Sequence, residues 1–183
     1  MNKQLTFKLS LVMASLLALP LAHAGSMSKA DYDTAKTRIG AEYKAERSAC
    51  DTRMANAKDV CIEHAGAKQK VARAELEFGY TGKSADKTRL QEAKAEAAYA
   101  VAKENCDDQA GNAKDVCVKE AKAAETKALA DAKMGQQIGE AKIDASEAKR
   151  DADYRVAAEK CDALAGEVKA SCLSAAKLSF GKS

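Results

Sequence analysis

The feature that most restricts how this chain can fold is a pair of cysteines eleven positions apart, written three times. Tyr43–Cys61 reads YKAERSACDTRMANAKDVC, Tyr99–Cys117 reads YAVAKENCDDQAGNAKDVC, and Tyr154–Cys172 reads YRVAAEKCDALAGEVKASC. All fit Tyr-x6-Cys-Asp-x6-Lys-x2-Cys without a gap, and successive copies lie 56 and 55 residues apart. Two geometries compete for that spacing. On an unbroken helix the second cysteine lies about 16 Å further along the axis. A disulfide tolerates a Cα separation of only about 7 Å. The cysteines would then bond to neighbouring helices, in an antiparallel three-helix rod. If the chain instead turns midway, the two cysteines meet at matching heights on antiparallel helices. Turn signals stand at that midpoint: Gly111-Asn112, Gly166 and, more weakly, Ala55-Asn56. Pairing within each copy also leaves all three copies equivalent. The expectation is therefore Cys50–Cys61, Cys106–Cys117 and Cys161–Cys172. The fold class that follows is all-α, with three disulfide-stapled helical hairpins packed as a bundle or short solenoid.

Composition supports helix and explains the need for staples. Alanine, lysine and glutamate, all good helix formers, dominate the chain. Leu, Ile, Val and Phe together number only 19 among the 159 residues from Gly25 to Ser183. So few large apolar side chains would ordinarily leave a chain disordered. Each short loop closed by a disulfide contributes roughly 2–3 kcal/mol in the chain-entropy model, which a thin core needs.

Residues 1–24 read as a secretory signal peptide, with Lys3 and Lys8 before the apolar run Leu9–Leu21. That run is too short to span a bilayer comfortably. Ala22-His23-Ala24 predicts cleavage between Ala24 and Gly25. The expected product, 25–183, is a single helical repeat domain with repeat cores at 43–61, 99–117 and 154–172, and it has no second apolar run long enough to cross a membrane. The leader takes two lysines and no acids, leaving 28 basic against 27 acidic side chains. A balance so close to neutral gives no reason to expect nucleic acid as a partner.

Along the chain, Ser28-Lys-Ala-Asp31 resembles a capping box. Behind it runs a stripe of Tyr32, Ala35, Ile39, Tyr43, Glu46, Cys50 and Met54 at helical spacing. A second helix carries Val60, Cys61, Ala65, Val71, Leu76 and Phe78, and Gly79-Tyr-Thr-Gly82 is expected to end it. Ser84 is the expected cap of a third, holding Leu90, Ala93, Ala97, Val101 and Cys106. Gly111 is read as a left-handed helix end, with Asn112 (and Asn56 in the first copy) capping the next helix. A fourth helix is expected to stop near Met134, before Gly135-Gln-Gln-Ile-Gly139. Two further segments, split near Gly166, complete the chain.

Sites for chemistry are scarce. No Cys-x2-4-Cys spacing suggests a metal, and His64 is the only histidine after the leader. The repeated Asp51, Asp107 and Asp162 could form a triplicated carboxylate site. A solvated face or ion pairs with Lys58, Lys114 and Lys169 explain them more simply. Tyr43, Tyr99 and Tyr154, two turns before the first cysteine, are expected to pack on each hairpin with the hydroxyl at its edge. With no nucleophile–base arrangement and no phosphate loop, neither catalytic residues nor a cofactor are expected, and an enzyme is not.

The Ala-Lys-Glu-Asp run Lys119–Lys133, KEAKAAETKALADAK, resembles the long helical stalk of TolA-type cell-envelope proteins. Similar composition covers about half the chain after the leader. The resemblance implies a periplasmic helical protein of a Gram-negative bacterium and transfers no binding residue. TolA-type stalks follow an uncleaved membrane anchor and lack the cysteine repeat. Together these features lead to the expectation of an exported periplasmic or secreted, non-enzymatic protein. Its role would be structural or interactive, with another envelope protein as partner. The alternatives are a lipid-surface binder and a metal- or thiol-buffering protein.

Overall fold

A computed structural model describes residues 27–182. The expected signal peptide, residues 1–24, and the expected cleavage site at Ala24–Gly25 lie outside the described residues. The chain is all-helical: α1 (Lys29–Ala49), α2 (Asn56–Thr81), α3 (Ser84–Asn105), α4 (Gly111–Cys161) and α5 (Gly166–Ser179). Packing runs from each helix to the next, α1 on α2, α2 on α3, α3 on α4 and α4 on α5, as an open antiparallel bundle. Of the two geometries open to the cysteine spacing, the chain takes the turned one.

α1 starts where the capping signal places it. The Ser28 hydroxyl accepts the Asp31 amide at 3.1 Å and donates to the Asp31 carboxylate at 2.7 Å. Ile39 is buried, Tyr32 and Tyr43 are half-buried, and the helix ends at Ala49. Met54 therefore leaves the expected stripe. It stands 83% exposed in the turn, because the chain has already left the helix at a 3-10 turn over Cys50–Thr52.

α2 continues through Gly79 and ends only at Gly82, whose φ of 63° is the left-handed value that closes a helix. The α2–α3 corner is then held by Asp86. Its buried carboxylate accepts the Thr81 hydroxyl at 2.6 Å and Arg89 Nη1 at 2.7 Å. Lys83, not Ser84, occupies the cap position of α3. No side chain caps α3, and the Asp86 carboxylate in its first turn complements the positive helix end.

The core is as thin as composition predicts. Ile39, Leu76 and Leu90 are its buried large side chains, beside Ala65, Ala93, Ala95, Ala97 and Ala132. Leu90, Ala93 and Ala97 share one face of α3, and Ala95 lies on the other, so α3 is buried on both sides. Alanine at those positions lets helices approach closely while contributing less hydrophobic free energy than Leu or Ile, at about 1.5–3 kcal/mol each.

Gly135–Gly139 does not end the fourth helix, and α4 runs unbroken for 51 residues, about 77 Å. Neither glycine takes a positive φ. Each costs a helix about 1 kcal/mol relative to alanine, which the strong helix formers on both sides offset. Gly139 also packs near α3, where an added Cβ would lie 3.9 Å from Ser84 Oγ.

Candidate interaction surface

The three motifs fold into three near-identical turns. Cys50–Cys61, Cys106–Cys117 and Cys161–Cys172 are disulfides, each with a Cα–Cα distance of 5.7 Å. The first sulfur of each pair is fully buried. After each first cysteine a backbone bond of 3.0 Å closes a tight turn: Arg53 to Cys50, Gln109 to Cys106, Leu164 to Cys161. Five residues past that cysteine the chain takes a positive φ, at Ala55 (48°), Gly111 (56°) and Gly166 (57°). The left-handed residue opens the second helix rather than closing the first, which ends in its 3-10 turn or, in the third copy, at Cys161. Asn56 and Asn112 consequently fall inside α2 and α4 instead of capping them.

The repeated polar residues are accounted for by this turn. Asp51 pairs with Lys58 at 3.0 Å, Asp107 with Lys114 at 2.9 Å, and Asp162 with Lys169 at 3.0 Å. Each bridge crosses its own hairpin and is solvent-exposed, which limits it to well under about 1 kcal/mol. The three aspartates do not converge. Asn56 Nδ2 donates to the Glu104 carbonyl at 3.2 Å, which puts the first and second turns at one end of the bundle. The third turn lies at the far end of α4. Among the described residues no group of three or more His, Cys, Asp and Glu side chains stands together as a metal site.

The motif tyrosines are half-buried. Lys122 Nζ sits 4.9 Å from the Tyr99 ring centroid and also donates to the buried Glu125 carboxylate at 2.5 Å. That hydrogen bond raises the Lys122 pKa. Tyr154 meets Phe180 edge-on, with centroids 6.4 Å apart. Away from the motifs, the Tyr32 hydroxyl donates to Glu77 at 2.8 Å, which raises its pKa, and its ring lies 4.6 Å from that of Tyr80.

Open packing leaves grooves that the sequence did not reveal. One, of about 630 Å³, lies between α2 and α3 and is floored by Val71, Ala72, Ala97, Val101 and Ala102, with exposed His64 at its edge. A second, also about 630 Å³, lies between α3 and α4 along Ala95, Ala128, Ala132 and Gly135. Lys94 and Ala98 line both, so the grooves flank a single ridge on one face of the bundle. The ridge is pinned to α2 by Lys94–Glu75 at 3.1 Å and by Lys70–Glu96. Small side chains on α3 create this surface: alanine leaves the space beside the ridge unfilled. The only hint in the sequence was the alanine content itself, which says nothing about which faces remain uncovered.

All six cysteines are bonded, in disulfides of the kind that form and persist in oxidising compartments. No helix among the described residues is long and apolar enough to cross a membrane. No protein-family model, curated protein or solved structure matches the chain.

Proposed function

We propose that this is an exported protein-interaction module of the bacterial envelope, without catalytic activity, that receives an amphipathic helix of another envelope protein. The observation that carries the reading is the pair of apolar grooves flanking Lys94 and Ala98 on one bundle face. Open grooves between helices suit a helix laid lengthwise with its apolar stripe inward. The leader-like residues 1–24, the three disulfides and the resemblance to TolA-type stalks support a periplasmic setting. Near-neutral charge supports a protein partner over nucleic acid. Thiol buffering would require the three bonds to be opened first.

The test is affinity capture from periplasm under oxidising conditions, with the chain exported through its own leader. Ala98 is exposed, so Ala98→Arg fills the ridge without touching the core. A partner retained by the natural chain and lost by Ala98→Arg is the expected result. An identical set of captured proteins with both chains would overturn the groove reading. Flotation of the chain with vesicles in place of protein capture would favour the lipid-surface alternative.

A further inference from the structure

The second half of α4 carries an apolar face that no other part of the chain covers among the described residues. Met134, Ile138, Ala141, Ala145, Ala148 and Ala152 follow one another at spacings of four and three, a heptad seam. All six are exposed, with Met134 at 53% and Ile138 at 48%. At about 100° per residue, the α4 residues turned toward α3 (Ala132, Gln136, Gly139) lie on the opposite half of the helix. So do those near α5 (Asp151, Tyr154, Cys161). The seam is thus accessible over its full length of about 27 Å.

The charges beside the seam say what covers it. On one flank stand Lys142 and Lys149, and on the other Gln137, Asp144 and Asp151. Asp151 is already held by Lys182, which lowers its pKa. Among the described residues, Asp144, Lys142 and Lys149 make no ion pair with their own chain. In a parallel two-stranded coiled coil, each such acidic flank position meets the basic flank position five residues on in the partner. Asp144 would therefore meet Lys149 of a second copy, twice by symmetry. An antiparallel pair would instead set lysine flank against lysine flank and aspartate against aspartate.

We infer that a second copy of this chain docks here, forming a parallel, in-register dimer through Met134–Ala152 of α4. A seam of six residues, four of them alanine, buries less than the roughly 1,200–2,000 Å² of a stable complex. The dimer is accordingly reversible and concentration-dependent. Both third hairpins then emerge at the same end. This inference does not depend on the groove face, which lies on the other side of α4.

Sedimentation equilibrium of the oxidised chain, carried to millimolar concentration, is the test. Dimer is expected at the high end, absent in Ile138→Glu, with circular dichroism showing that the variant keeps its helices. Ala145→Leu should tighten the dimer at least tenfold. Asp144→Lys should weaken it about fivefold, and Asp144→Lys combined with Lys149→Asp should restore it. A chain monomeric at every concentration would overturn the inference. So would an Asp144→Lys chain that dimerises as tightly as the natural one, since an antiparallel pair only exchanges one like-charge contact for another, or partition of the seam onto vesicles without self-association.

Discussion

The two halves of α4 are built from the same residue types in different surroundings. From Gly111 to Gly139 the helix lies against α3, burying Glu125 and Ala132 and placing Lys122 over Tyr99. From Ala141 to Arg150 every residue is exposed. Beyond that, α5 returns along the helix with Ala176 its one buried side chain. The first half is helical because it is packed. The second is helical because alanine, lysine and glutamate favour helix and because it grows from a helix already nucleated. The arm and its hairpin therefore depend on local chemistry, and the body on tertiary contacts.

The largest expected effect separates the hairpins by their staples. α5 has 14 residues, a length at which an isolated helix is marginal in water. Cys161→Ser with Cys172→Ser should strip amide-exchange protection from 166–179 entirely. Cys50→Ser with Cys61→Ser should cost roughly 2–3 kcal/mol and leave α1 docked through Ile39 and the Tyr32–Glu77 bond. Equal protection of α5 and α1 after these substitutions would break the comparison. Reduction of all three disulfides should abolish most of the melting cooperativity, and a melt indifferent to reductant would argue against the staples altogether.

A smaller effect distinguishes the turns. Ala55 takes φ 48° and ψ −146°, a conformation almost reserved for glycine, where the other turns place Gly111 and Gly166. Ala55→Gly should stabilise the first hairpin by about 1 kcal/mol, while Gly111→Ala and Gly166→Ala should each cost about 1–2 kcal/mol. Thermal melts of oxidised protein read the difference. Only Gly166→Ala should leave the body's exchange protection unchanged, since its turn lies on the arm.

The smallest effect is acid-dependent and confined to the body. The Thr81 hydrogen bond and the Arg89 charge hold Asp86 below the ordinary carboxylate pKa, against the opposing influence of burial. A depressed carboxylate stabilises the fold above its unfolded pKa and loses that contribution as pH falls through the folded value. The α2–α3 corner should loosen on the acid side of the ordinary aspartate range. Amide exchange at Thr81–Asp86 should show it, with α5 unaffected apart from the Asp151–Lys182 contact, whose depressed carboxylate follows the same sign. Asp86→Asn should flatten the response.

The sequence by itself narrowed the staples and the turns to two geometries. Eleven residues cannot bring two cysteines together on one unbroken helix, which left turned hairpins or bonds between long helices; the signals at each midpoint favoured the hairpins, and the structure takes them. Helix type followed from alanine and the long charged residues, and the Ser28 cap from its local pattern. Tertiary structure decided what local pattern could not. Gly135 and Gly139 look like a break, but glycine is only about 1 kcal/mol worse than alanine in a helix, too little to stop one with strong formers on both sides. Ser84 looks like a cap, but α3 starts without a side-chain cap, and Asp86 reaches Thr81 across the corner to hold the α2–α3 junction. Which alanines are buried, which line grooves and which form an uncovered seam depends on where the next helix lies. An alanine side chain is too small to announce its own environment.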